Sequence, residues 1–250
     1  MTASNPTQTA SNHAPVALVT GGSRGIGHAI VECLRRAGYR VAACATTQQG
    51  IRASGADLPF VCDVTDPQAV ALNIHNVVDS FGRLDAVVNN AGIAGSNPLE
   101  PDASDELWHS IINTNLNGTY YVCKHAMQHL PDTTGRIVNI ASVLGLRGVP
   151  DQTAYCAAKH AVIGLTRALA HHLAPRQITV NAVCPGWVRT DMAAMRVAEL
   201  QATEAQLAGA VPMKRFAEAA EIANSVRYLL SEHAAMVTGQ CLSIDGGVTA

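Results

Sequence analysis

Tyr155 and Lys159 stand four positions apart in AYCAAKHAVIGLTRALA (154–170), a run of alanine and aliphatic residues suited to burial. On a helix they share one face, one turn apart. Two readings are open. A tyrosine ring and a lysine stem often pack together at a helix surface, with the ammonium in water. Alternatively the pair moves a proton. A phenol is a well-shaped acid, but its ordinary pKa of about 10 makes it a poor base near neutrality. An adjacent ammonium favours the phenolate and moves that value down.

A second constellation lies near the amino terminus. The run TGGSRGIG (20–27) places Gly21, Gly25 and Gly27 after a β-rich run, VALVT (16–20), and at the start of a helical one. Glycines there let backbone approach a pyrophosphate, which the helix N-terminus attracts with free N–H groups and its dipole. The spacing is GxxxGxG, a variant of the dinucleotide fingerprint, and a plain connecting turn reads the same way. A site for NAD(H) wants a carboxylate about 20 residues further on, against the ribose 2′-hydroxyl. No acid occurs between Glu32 and Asp57, and the second β-rich run ends in Ala45-Thr46-Thr47. Threonine hydroxyls tolerate a 2′-phosphate and Arg24 can pair with it, so NADP(H) is favoured over NAD(H).

The elements that position these groups follow from the hydrophobic pattern. β-rich runs at 16–20, 39–45, 58–62, 84–92, 136–142, 178–186 and 240–245 alternate with helical segments. The helices are expected over about 25–37, 66–82, 103–130, 152–174 and 217–231. Near-continuous apolar strands separated by helices predict an α/β fold, a parallel sheet covered on both faces. In such sheets the loops at the carboxyl ends of the strands build the site. No linker or repeat divides the chain. A polar, flexible tail is expected over 1–14, with neither a secretory nor a transit signal, and one domain over 15–250.

The bulk numbers agree. Of 250 residues 48% are apolar and 14% charged, which excludes a disordered chain. The net charge is −2 and no window concentrates Lys and Arg, which argues against nucleic-acid or membrane partners. Seven scattered cysteines without a CxxC pair suggest reduced thiols and a cytoplasmic setting. His125 and His129 have the i, i+4 spacing of metal ligands on a predicted helix, but lack a companion Glu or third ligand, so no metal is expected.

Taken in order, TGGSRGIG, NNAG (89–92), Asn115 in NTNLNG, Ser142 after RIVNIA, YCAAK (155–159) and PGWVRT (185–190) resemble the short-chain dehydrogenase/reductase family across the chain after its tail. The resemblance implies a Rossmann-type doubly wound sheet of seven mostly parallel strands and a nicotinamide cofactor. It also implies a catalytic set of Asn115, Ser142, Tyr155 and Lys159. In ketone reduction Tyr155 would protonate the alkoxide, Ser142 would stabilise its charge, and Lys159 would hold the nicotinamide ribose. Asn115 would hold a water linking Lys159 to solvent. Cofactor contacts carried over are Gly21, Ser23, Arg24, Gly25, Ile26, Gly27, Thr46, Thr47, Asp63, Val64, Asn89, Ala91, Gly92, Pro185, Gly186, Val188 and Thr190, beside Tyr155 and Lys159. Asn89 and Gly92 are expected to line the pocket.

Substrate contacts expected are Ser142, Leu144, Val149, Gln152, Tyr155 and Trp187, beneath a lid at about 188–212. The nearest resemblance is to 3-oxoacyl-thioester reductases. It implies a small carbonyl or alcohol substrate, possibly thioester-linked, and a homotetramer or homodimer. Carrier-protein reductases commonly carry basic residues ahead of the strands at 136 and 178. Here Thr133 stands at the first place, beside Asp132, and only Arg176 is retained at the second. A dehydrogenase of small, alicyclic or sugar alcohols, and a silent dinucleotide-binding sensor, are the alternatives.

Overall fold

The computed structural model describes residues 14–102 and 104–250, so the expected tail falls almost wholly outside the described residues. The chain alternates β1 (Val16–Thr20), α1 (Gly25–Arg36), β2 (Arg40–Ala45), α2 (Gln48–Arg52), β3 (Leu58–Val61), α3 (Pro67–Phe81) and β4 (Ala86–Asn89). The second half contributes α4 (Glu106–Ile112), α5 (Gly118–Ala126), β5 (Arg136–Ile140), α6 (Thr153–Leu173) and β6 (Thr179–Pro185). It ends in α7 (Asp191–Glu199), α8 (Glu204–Gly209), α9 (Ala219–Leu230) and β7 (Cys241–Ile244).

The seven strands form one sheet in the order β3-β2-β1-β4-β5-β6-β7. Every pairing in it is parallel. Strand order reverses between β1 and β4, which opens a crevice at their carboxyl ends. Alternation along β1 shows why its whole run is apolar. Val16 and Leu18 join the core under α3 and α5, while Ala17 and Val19 join the core under α1 and α9. Both faces are covered, so neither parity can be polar.

Some expectations are corrected. The helix expected over 103–130 is broken: α4 passes through a π-helical stretch, Asn113–Asn117, into α5, which ends at Ala126. His129 therefore lies beyond the helix and shares no helical face with His125, which removes the apparent ligand spacing. The short α2 was not foreseen, and the Ala/Met-rich stretch after Thr190 folds into α7 and α8.

Candidate active site

Ser142 follows β5 in extended backbone and is buried, its Oγ accepting from the Leu144 N–H at 3.1 Å. The turn after it packs hard on α6. A Cβ at Gly145 would lie 2.7 Å from the Lys159 carbonyl oxygen, so only glycine admits that approach. Tyr155 sits in the first turn of α6, whose preceding residue provides no side-chain cap. Asn97, from the loop after β4, does so instead. Its Oδ1 accepts from the Ala154 N–H at 3.1 Å and the Thr153 hydroxyl at 2.6 Å. That fixes the orientation of the turn carrying Tyr155.

Lys159 is 4% exposed. Its ammonium donates to the Ile140 carbonyl at 2.8 Å and lies 5.4 Å from the Tyr155 ring centroid. Asn115 occupies the π-helical stretch, a device often found at functional sites. Its amide clamps Ile93, accepting from the N–H and donating to the carbonyl, both at 2.8 Å. Gly92 joins the two: a Cβ there would stand 3.2 Å from Asn115 Oδ1 and 3.7 Å from Lys159 Nζ. The fold thus gathers Asn115, Ser142, Tyr155 and Lys159 from three elements.

Burial governs their ionisation. It pushes the Tyr155 phenol up to about 12, against the Ser142 hydroxyl, whose hydrogen bond favours the phenolate. It pulls the Lys159 ammonium down to about 8, against Cys184, which favours the charge. In the chain alone burial is the largest cause of both shifts, so the phenol stands above its ordinary value and not below it as expected beside Lys159.

At the other end, Gly21 has φ +64, and a Cβ there would strike the Ala91 backbone at 2.9 Å. A Cβ at Gly27 would lie 2.1 Å from the Gly21 carbonyl oxygen. These glycines seat the loop against residues 90–91, and a Cβ at Gly25 would lie 3.2 Å from the Thr190 methyl. α1 opens with no acidic residue in its first turn and no side-chain cap from Arg24, so its N–H groups suit an anion. Ser23 and Thr47 converge on Gly50, where a Cβ would meet Ser23 Cβ at 3.4 Å and Thr47 Oγ1 at 3.0 Å. Thr47 caps α2, Thr46 is exposed, and Arg24 stands 3.9 Å from the exposed Asp191 carboxylate. The donor set fits a nucleotide with an additional phosphate on its ribose.

Other expected contacts vary. Ala91 donates its N–H to Thr20 Oγ1 at 3.0 Å, and Ile26 packs on the core under α1. Asp63 accepts from the Thr65 hydroxyl at 2.8 Å, and Val64 is buried against Gly118. Pro185 ends β6, Gly186 abuts Asp245, Val188 pairs with Ala217, and Thr190 caps α7. Leu144 and Val149 are half-buried beside the site, whereas Gln152 is buried and bridges to Asn97.

The Asn89 side chain is a correction: it points into the core, donating to Asn139 at 2.8 Å and to Cys123. Trp187 is half-buried and stacks one ring face on Phe216, with centroids 5.0 Å apart. Asn90 was missed as a functional residue. Its Nδ2 donates to the carbonyls of Thr20 and Gly21 at 3.1 and 3.0 Å, tying the glycine loop to β4. NNAG contains it, but the sequence does not say which asparagine faces the loop. Asn97 carried no sequence signal.

Residues 21–249 match a family model described as enoyl-(acyl carrier protein) reductase. The chain is 40% identical over 239 residues to the 3-oxoacyl-[acyl-carrier-protein] reductase FabG of Haemophilus influenzae, covering 93% of this chain and 97% of that one. It is 41% identical over 254 residues to the granaticin polyketide synthase putative ketoacyl reductase 1 of Streptomyces violaceoruber, covering 94% and 93%. A crystal structure of an actinorhodin polyketide ketoreductase variant with NADPH superposes with a TM-score of 0.89 at 37% identity, covering 96% of this chain and 99% of that one. With that match spanning the crevice and all four converging side chains, the protein belongs to the short-chain dehydrogenase/reductase family.

Proposed function

We propose that the protein is an NADPH-dependent reductase of ketones, with 3-oxoacyl thioesters as its best substrate class. The observation that carries this is the buried Lys159, held on the Ile140 carbonyl one turn beneath Tyr155 and beside Ser142. When bound, NADPH supplies the hydride that reduces the carbonyl carbon. The residues suited to hold it are the glycine loop 21–27 and Ser23, Arg24, Thr46 and Thr47 at the ribose phosphate. Tyr155 donates its proton to the oxygen developing negative charge, and its high pKa keeps it protonated for that task. Ser142 donates a second hydrogen bond to the same oxygen. Lys159 lowers the cost of the phenolate left behind, and Asn115 holds the backbone of Ile93 at the rim.

The family model carries the description of an enoyl reductase, but relatives near 40% identity are named 3-oxoacyl or ketoacyl reductases, and the neighbouring Ser142 and Tyr155 hydroxyls suit a carbonyl oxygen. Delivery by a carrier protein is less well supported than a free or CoA-linked thioester. Arg176, the one retained basic residue, donates to Asp132 at 2.8 Å and to the Met127 and Leu130 carbonyls. Its charge closes the end of α5 instead of facing a partner. A homotetramer in a reducing cytoplasm accords with the resemblance and with the unpaired cysteines among the described residues.

The test is purified protein with acetoacetyl-CoA, its crotonyl counterpart, a free 3-keto acid and simple secondary alcohols, each with both cofactors. NADPH oxidation strongest with acetoacetyl-CoA is expected. Turnover confined to the crotonyl thioester, or to alcohols with NAD, would replace this reading.

A further inference from the structure

The nine-residue α7 has no buried residue, so apolar contact does little to hold it. Its ties are polar. Thr190 caps its start, Arg24 stands 3.9 Å from Asp191, and Arg196 reaches outward from its last turn. Of the two arginines, Arg24 is largely exposed, whereas the Arg196 side chain is only 15% exposed. Arg196 donates through Nη1 to Glu199 at 2.9 Å and through Nη2 to the Asp151 carboxylate.

Asp151 is more than a surface acid. Its carbonyl accepts from the Asn97 N–H at 2.7 Å and the Ser96 hydroxyl at 3.4 Å. Asn97 caps α6 through Thr153 and Ala154, and Tyr155 follows directly. Three segments therefore meet at Asp151: α7, the loop after β4, and the turn that carries the phenol.

We propose that the Arg196–Asp151 ion pair is a latch that positions α7 beside Tyr155 and so limits the size of ketone the site accepts. This rests on the ketone-reductase reading. The side chains suit the task because the pair is partly shielded, so it is held against salt, yet α7 has no buried residue to keep it closed once the pair is lost. Arg196 and Asp151 are positioning residues, and they act through placement of α7.

Arg196→Met and Asp151→Asn in the full chain test this, assayed with NADPH on ethyl acetoacetate and on a long-chain 3-oxo ester. Each substitution should raise KM for the short ester about tenfold while leaving kcat within about threefold. The ratio of kcat/KM, long over short, should rise, cofactor Kd should stay unchanged, and chymotrypsin should cut faster after Leu200. The double variant should be no worse than either single, because each already opens the latch. Parental KM and cleavage rate in both singles, losses that add in the double, or a fall in kcat at constant KM would each overturn the proposal. If the parent protein reduces no ketone, the functional reading fails, while the cleavage rates still decide the latch.

Discussion

Lys159 works against the fold that holds it. A buried ammonium with one carbonyl partner is costly, which is why its pKa is pulled down to about 8. Folding lowers that pKa, so between about 8 and the ordinary value of 10.5 the unfolded chain binds more protons than the folded one. The penalty is complete below that window and fades as pH rises through it. Lys159→Met should therefore stabilise the protein by about 1–3 kcal/mol at pH 7, raising Tm by several degrees, while turnover falls at least a hundredfold. The gain should shrink above pH 8. A Tm that drops at neutral pH, measured by calorimetry, would show that the lysine supports the fold. Tyr155 carries no such penalty at neutral pH: with its phenol held up to about 12 it is protonated in both the folded and the unfolded chain, and so is ready to give its proton.

Among the elements, β4 does more than lie in the sheet. Its carboxyl end sends Asn89 into the core and Asn90 onto the glycine loop. The loop beyond it sends Ile93 to Asn115 and Asn97 to the start of α6. One connection thus aligns the cofactor end with the catalytic end. Asn90→Ala removes two hydrogen bonds to the Thr20 and Gly21 carbonyls but keeps the backbone ones to Thr20 Oγ1. NADPH affinity should weaken about tenfold, with little change in Tm, since the loop loses preorganisation and not burial. Fluorescence titration measures it; an unaltered Kd would mean the loop holds its shape unaided. The break of the expected long helix belongs here too. A π-helical turn shifts the register at Asn115, and the periodicity on either side does not reveal it.

Across the whole molecule, the proposed preference for NADPH rests on segments far apart in sequence. Ser23 and Arg24 from the first loop, Thr47 from the second and Asp191 from α7 meet at one edge of the crevice. Thr47 accepts from the Gly50 N–H, and aspartate is an equally good cap, so Thr47→Asp changes charge without undoing α2. NADPH should bind at least tenfold more weakly, with NADH affinity equal or improved, because a carboxylate repels the 2′-phosphate and accepts from a 2′-hydroxyl. Calorimetric titration of both cofactors decides it, and an unchanged NADPH/NADH ratio would place the discrimination elsewhere.

The parallel sheet, the glycine loop and the Tyr155–Lys159 spacing were legible in the sequence because each rests on short-range periodicity or on residues one turn apart. Which of Asn89 and Asn90 faces the loop depended on the register of β4 against β1. That Asn97 would cap α6, that Arg176 would bond Asp132 and the end of α5 and that α7 would hang on Arg196 depended on chain segments meeting across the fold. Burial decided the ionisation of Tyr155 and Lys159 in the same way: sequence gives the distance along the helix, but only packing removes the water.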